Sequence, residues 1–334
     1  MHDRTMSSAL ATAPVDRADP TPVVHVLHDN PEWLPPLVAA LDAAGVPHRE
    51  HLLDGTSFDL AAAPPEGIFW SRLSGSAHTR GRGTAKEVAR ATLRWAERHG
   101  RRTINGSGVV ELEVSKVAQY LALASAGFDV PATTAVFGTS DLKARARERA
   151  LPFITKHNQG GKGLGVRRFD DLASFDAYVD GPDFEVPVDG ITLLQEFLEA
   201  EEPFNTRVEF VGGRFVYAVR VDTSAGSFEL CPADACVVPD GADPATFAPF
   251  AVRASVTAEH PLVKRLEAFV AEQGIEVAGI EFIETADGRF VPYDVNTNTN
   301  YNPDVERESP ISAAATLAAW LGDVLAAEYA GVPA

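Results

Sequence analysis

Two dipeptides, Gly212-Gly213 and Asp287-Gly288, constrain this chain more than any other feature, because each fixes how two strands must meet. The first separates the alternating runs TRVEFV and RFVYAVRV; the second separates GIEFIE from RFVPYDVN. Two-residue loops of this composition close antiparallel hairpins, and the register follows by counting outward. In the first hairpin Val211 faces Arg214 and Asn205 faces Arg220. A period of two then puts Asn205, Arg207, Glu209 and Arg220 on one face, with Val208, Phe210, Phe215 and Val219 on the other. Taken alone, the two arginines are explained by a solvated outer face. In the second hairpin Ala286 faces Arg289 and Glu281 falls opposite Asp294. Asn296 continues the face of Asp294, and Glu284 points the other way.

Carboxylates directly across a strand pair repel one another. A chain that keeps Glu281 and Asp294 in this arrangement calls for a divalent cation between them. An all-oxygen set completed by Asn296 suits Mg2+ or Mn2+.

The first third of the chain reads differently. PVVHVLH (22–28) and GIFWS (67–71) are short apolar runs. A helical stretch from Pro31, or from later given Pro35 and Pro36, ends at Gly45; another runs from Thr84 to His99 and stops at Gly100. Alternation of this length predicts a small parallel α/β domain over residues 21–107. Residues 1–20 have no usable period and read as a disordered tail. A further helix from Ser115 to Ala126 closes on Gly127. Lys116 falls in its first turn, where the helix dipole disfavours a cation. Either an anion binds there, or the helix begins earlier, near Val109. Beyond it the sequence predicts a helix around Asp141–Arg149, a loop over 239–250 and a last helix opening at Ser309-Pro310.

In PFITKHNQGGKGLGV a strand delivers Lys156 to a loop holding Gly160, Gly161, Lys162, Gly163 and Gly165. Glycines let backbone N–H groups turn toward an anion, and the lysines supply charge. The Walker spacing is absent, because Gly163 and Leu164 follow Lys162. A flexible hairpin is the plainer reading of such a loop by itself.

The charge balance, 29 basic against 47 acidic residues for a net −18, argues against nucleic acid and anionic membrane as partners. No apolar run reaches the roughly 20 residues of a membrane helix. Cys231 and Cys236, the only cysteines, are too close to staple domains and too few for zinc. They read as free thiols in a reducing cytosol.

Taken in order, INGSGVVELEVSK, FITKHNQGGKGLGV, LLQEFL, FNTRVEF, VYAVRV and GIEFIE with VPYDVN resemble the ATP-grasp superfamily. Within it they are most similar to the RimK-like and glutathione-synthetase-like ligases, over roughly residues 22–330. The resemblance implies an α/β (α+β) ATP-grasp fold: an amino-terminal substrate-side domain, then subdomains over 108–190 and 191–334 that clasp the nucleotide. It implies ATP as substrate and Mg2+ as cofactor. A carboxylic acid and an amine, such as an amino acid or peptide, would be joined through an acyl phosphate, with ADP and phosphate released in the cytoplasm. A homodimer is the default expectation for assembly.

Residue by residue, Lys116 and Lys156 look like the lysines on the nucleotide phosphates, and residues 160–165 like the lid above them. Glu196, Phe197 and Leu198 look like the hinge that reads adenine, with Glu199 toward the ribose. Arg207 and Arg220 resemble the arginines near the γ-phosphate and the acyl group, and Glu281, Asp294 and Asn296 the magnesium triad. Asn205, counted with the nucleotide contacts, stands where such ligases usually carry Asp, and the triad's Asp and Glu are in reversed order. SRLSGSAHTRG resembles a substrate-side motif, which makes Arg72, Ser74, His78 and Arg80 candidates for a carboxylate or phosphate. His78 by itself reads as an ordinary loop histidine. Asn298, Asn300 and Tyr301, just past the metal strand, are candidates to touch the amine or acyl partner. The same nucleotide site would serve a phosphotransferase, or a nucleotide-binding protein without turnover.

Overall fold

Three sheets organise the computed structural model, which describes residues 21–161, 163, 165–224 and 249–330. The amino-terminal tail, Lys162, Cys231 and Cys236 lie outside the described residues.

The first sheet is parallel. Strand β1 (Val23–His28) pairs with β2 (His48–Leu52) on one side and β3 (Gly67–Arg72) on the other, and β3 pairs with β4 (Thr103–Ile104). Its order, β2-β1-β3-β4, reverses the direction of winding between β1 and β3, so a crevice opens at their carboxyl ends. The apolar runs are continuous because both faces are covered. Helix α1 (Pro35–Ala43) packs Leu37 and Leu41 on Val24, Val26, Ile68 and Trp70. Helix α2 (Ala85–Arg98) packs Ala89, Leu93 and Ala96 on Leu27, Phe69 and Leu73. Two helices follow, α3 (Ser107–Glu113) and α4 (Lys116–Ser125). Ser115 separates them, its side chain accepting the Ala118 N–H at 3.2 Å. Lys116 therefore opens its own helix, and the helical turn at Val109 belongs to another.

The second sheet is antiparallel, of order β5-β8-β6-β7, from β5 (Thr133–Phe137), β6 (Phe153–His157), β7 (Arg167–Phe169) and β8 (Ile191–Glu196). Helices α5 (Leu142–Ala146) and α6 (Leu172–Asp180) close its core around Phe153, Phe169 and Phe175. Because β8 completes this sheet, the passage to the next one falls at residues 197–199 rather than at 190.

The third sheet, also antiparallel, has the order β11-β10-β9-β12-β13. It comprises β9 (Phe204–Val211), β10 (Arg214–Asp222), β11 (Phe250–Val252), β12 (Val277–Glu284) and β13 (Phe290–Asn296). Helix α7 (Pro261–Glu272) covers one face, burying Val208, Phe210, Ala218, Ile280 and Phe282. After the short α8 (Pro303–Glu308), α9 (Ala313–Glu328) lies against Val211 and continues onto α1 and β1. The cap of α9 is Ser312, which accepts the Ala315 N–H at 3.1 Å, and not Ser309. Ser309 is held extended before Pro310, as proline demands of its predecessor.

Both hairpins depart from the counted register. In the first, Val216 is an extra residue, so Arg220 faces Thr206 and Val221 faces Asn205. A slip of one residue exchanges faces. Arg220 leaves the face of Arg207 for that of Val208, and Val219 takes the opposite course. In the second hairpin the loop has three residues, and Thr285 N–H donates to the Arg289 carbonyl at 3.0 Å. Glu284 then faces Phe290, but a bulge at Tyr293 restores the count, and Glu281 pairs with Asp294 as the sequence predicts.

Candidate active site

The face shared by β9, β12 and β13 gathers charge. Lys116 Nζ, from the first residue of α4, donates to Asp294 Oδ1. Arg207 donates through Nη1 to Glu281 Oε1 (2.8 Å), through Nε to Glu209 Oε1 (2.6 Å) and through Nη2 to Thr299 Oγ1 (2.7 Å). The Tyr293 hydroxyl donates to Glu281 Oε2 at 2.7 Å and accepts from Asn205 Nδ2 at 2.9 Å. Asn296 Nδ2 donates to Glu281 Oε1 at 3.3 Å. Lys156, on the second sheet, holds its ammonium 5.3 Å above the Tyr293 ring. Thus seven residues expected at a nucleotide and metal site (Lys116, Lys156, Asn205, Arg207, Glu281, Asp294 and Asn296) meet where the second and third sheets face each other.

The electrostatics are dominated by burial and its compensation. Burial pushes the Asp294 carboxyl up, but Lys116, then Lys156 and Arg207, outweigh it and hold the group below the ordinary carboxylate range. Burial likewise opposes the charge on Arg207, which Glu209 and Glu281 more than restore. The Tyr293 phenol is pushed well up by burial and by the neighbouring Glu281. Among the described residues no three His, Cys, Asp or Glu side chains converge as a self-sufficient metal cage. Two carboxylates and an amide supply only hard oxygen donors, and a small divalent cation held this way completes its shell with phosphate oxygens or water. The residues present fit Mg2+ used together with a nucleotide.

The glycine-rich loop leans on the crevice of the first sheet. Gln159 Nε2 donates to the Gly75 carbonyl at 3.4 Å, and Lys86 Nζ to Gln159 Oε1 at 2.9 Å. A methyl group on Gly75 would lie 2.9 Å from the Glu113 carbonyl and 3.2 Å from that of Gly160, so the two loops meet backbone to backbone. A methyl group on Gly161 would make only ordinary contact, at 3.6 Å, with the Ser76 side chain. Gly165 has a φ of +70°, and a side chain there would strike the His157 ring at 2.1 Å. Gly163 also takes a positive φ, 75°.

The crevice itself is polar. Asp29 accepts the Ser74 N–H at 2.7 Å and the Arg80 guanidinium, which also donates to Ser76 Oγ and stacks on Trp33. Arg80 is thereby already neutralised. Arg72 reaches across to the segment after β13, donating to the Thr299 carbonyl at 3.2 Å and to Asn300 Oδ1 at 2.6 Å. Asn298 Oδ1, the Tyr301 hydroxyl and His78 Nδ1 are buried with no hydrogen-bond partner in the described structure. Burial lowers the His78 imidazole below its usual value. At the expected hinge, Glu196 exchanges backbone and side-chain hydrogen bonds with Ala132, Phe197 stacks under Arg168, Leu198 is half-buried and Glu199 is exposed.

One expected residue is not brought in. Arg220 lies on the other face, stacked 4.6 Å over Phe204 and 3.6 Å from Asp222. Three unexpected ones are. Tyr293 enters only because the bulge turns it, which no pattern in the sequence announces. Thr299 ties Arg207 to Glu209, donating to Glu209 Oε2 at 2.8 Å. Glu113 accepts the N–H of Gly75 (2.9 Å) and both the N–H and hydroxyl of Thr297 (2.7 and 2.8 Å), locking the crevice loop to the segment after β13. Its place three residues before Lys116 was the available signal.

Solved structures share this architecture. The D-cycloserine synthetase DcsG is 18% identical, with a TM-score of 0.63, over 90% of this chain and 99% of that one. A RimK-domain ATP-grasp protein from Sphaerobacter thermophilus is 18% identical, with a TM-score of 0.61, over 91% and 99%. The ATP-grasp ligase PsnB, solved with a minimal precursor, Mg and ADP, is 14% identical, with a TM-score of 0.58, over 92% and 96%. No protein-family model matches the chain, and no curated protein matches it in sequence. The chain has the ATP-grasp fold of these structures. No helix among the described residues is long and apolar enough to cross a membrane.

Proposed function

We propose that this chain is an ATP-dependent carboxylate–amine ligase that forms an amide bond through an acyl phosphate. The observation that carries this reading is the facing pair Glu281 and Asp294, set among Lys116, Lys156 and Arg207 between two sheets. Similar folds belong to a cycloserine synthetase and to an ATP-grasp ligase solved with a minimal precursor, Mg and ADP. Glu281, Asp294 and Asn296 would hold Mg2+, which when bound neutralises phosphate oxygens.

The residues then divide the work. Lys116 and Lys156 balance the charge of the nucleotide phosphates, and the loop at Gly160–Gly165 covers them with backbone N–H groups. Arg207, fixed by Glu209 and Thr299, faces the oxygens of the transferring phosphoryl group. The acid's carboxylate oxygen bonds to the γ-phosphorus as the bond to ADP breaks. The amine's lone pair then attacks the acyl carbon, phosphate departs with the acid's oxygen, and the amine gives up a proton. Catalysis by such a site is mostly positioning and charge balance. The crevice residues Arg72, Ser74 and His78, with Asn298, Asn300 and Tyr301, line the substrate side.

A phosphate-release screen crossing carboxylic acids with amines tests the reading. Release that needs both partners, with oxygen label passing from acid to phosphate, supports it. AMP and pyrophosphate as products would remove the acyl-phosphate route, and release that needs no amine would make the chain a phosphotransferase.

A further inference from the structure

Arg72 stands apart from the partly buried arginines. Arg80 is paired with Asp29, Arg207 with Glu209 and Glu281, and Arg253 with Glu284. Arg72 is 2% exposed and has no ion pair with any described residue. Its guanidinium carries five N–H donors, and its hydrogen-bond acceptors among the described residues are neutral ones, the Thr299 carbonyl and Asn300 Oδ1. Asp29, whose field reaches it, is committed to Arg80 and Ser74. A buried charge without a counter-charge is costly, and burial here pulls the guanidinium down to about 10.

The surroundings are unfinished in the same sense. Trp70 Nε1 has no hydrogen-bond partner among the described residues, although that ring lies 5.1 Å beneath the guanidinium and the residue is 1% exposed. The nearby Tyr301 hydroxyl likewise has no hydrogen-bond partner among the described residues. All this sits at the carboxyl ends of β1 and β3, where the winding of the sheet reverses and ligands of open α/β sheets bind. Asn300, by contrast, is exposed, so its side chain can leave.

We propose that Arg72 is a receptor for a non-reacting carboxylate of one ligation substrate, and that Asn300 holds its place until that carboxylate displaces it. The group at Arg72 is not the one that reacts, because Thr299 stands between, with its hydroxyl on Arg207 and its carbonyl on Arg72. The substrate so held is compact and carries a spectator carboxylate, as an α-amino acid or a dicarboxylic acid does. A carboxylate offers the planar guanidinium two charged acceptors where Asn300 offers one neutral one. This identification of the substrate rests on the ligase reading; the receptor itself does not.

Asn300→Asp tethers a carboxylate to the receptor and separates the two ideas. It is expected to raise Tm by roughly 2 °C or more, since a buried cation gains its partner. In an Arg72→Gln background the gain disappears, and Asn300→Ala, which adds no charge, does not reproduce it. In the phosphate-release assay, Asn300→Asp is expected to raise KM for one organic substrate on the order of tenfold or more, with the KM for ATP unchanged. An unchanged or lowered Tm overturns the receptor. A raised Tm with both organic KM values unchanged overturns the assignment of a substrate carboxylate to it. A raised Tm in a protein that releases no phosphate with any acid–amine pair keeps the receptor and removes the ligase.

Discussion

Glu281 and Asp294 face each other across β12 and β13, and each carboxylate is held by a cation from another element: Arg207 from β9 and Lys116 from α4. The repulsion expected of two facing acids is thus cancelled within the protein. Asp294→Asn keeps the shape and removes the charge. Lys116, 4% exposed, would then be buried without a partner, at a cost of about 3 kcal/mol. Urea denaturation should show that loss, and turnover should fall further than nucleotide affinity. An active, fully stable variant would end the argument for this pair.

Lys156→Ala should behave differently. Its ammonium rests above Tyr293 and has no ion pair among the described residues, so the fold loses little. The thermal stabilisation given by Mg-ATP should shrink sharply. Equal stabilisation of variant and wild type would remove Lys156 from the nucleotide site.

Arg207 and Arg220 form a direct test of the register. Arg207→Ala leaves Glu209 and Glu281 buried without their partner and should abolish turnover and lower stability. Arg220→Ala, on the opposite face beside Phe204, should alter kcat by less than about threefold. Equal losses from the two would mean that the bulge at Val216 is misplaced.

How much of this was legible follows from where irregularities fall. The facing of Glu281 and Asp294 could be counted from Asp287-Gly288 because a longer loop and a bulge at Tyr293 cancel. The facing of Asn205 and Arg220 could not, because Val216 adds one residue and nothing takes it back. A bulge is decided by the packing of a whole sheet, and Val216 looks like any strand valine. The cap at Ser312 was hidden behind Ser309-Pro310, which carries the same local signal. Glu113 acts through Gly75 and Thr297, partners far from it in sequence that only the tertiary fold supplies.

Gly165→Ala should impair the glycine-rich loop without unfolding the protein. The backbone there sits at φ +70°, and the added methyl would meet the His157 ring. The expected outcome is a KM for ATP raised on the order of tenfold, with an unchanged far-UV spectrum. His157→Ala should restore only part of the loss, since it removes the clash and leaves the backbone strain.

Acid should destabilise the protein through the first sheet. His25 Nδ1 and His51 Nε2 share a hydrogen bond of 2.9 Å, and His25 Nε2 lies 3.0 Å from the Glu66 carbonyl. Burial first, and then neighbouring charge, lowers the two imidazoles from 6.5 to about 3 and about 4. Unfolded, both take up protons near 6.5, whereas folded they resist until far lower pH. Their contribution is therefore complete above pH 6.5 and is lost as pH falls toward 3, by up to roughly 1.4 kcal/mol per pH unit for each ring. His25→Phe, beside Phe69, should flatten that limb of a Tm-against-pH curve. An unaltered slope would place the acid sensitivity elsewhere.

Helix α9 supplies Leu317, Leu321 and Leu325 to the core that β1, β3 and α1 begin, and the Tyr329 hydroxyl accepts the Gly67 N–H at 2.6 Å. During synthesis the first sheet therefore emerges with one oily side only partly covered, by α1, and waits for nearly all the remaining chain before α9 completes that cover. A nascent chain stalled before α9 should bind a chaperone through Val24, Val26 and Trp70. The crevice that Arg72 lines would be among the last parts of the molecule to set.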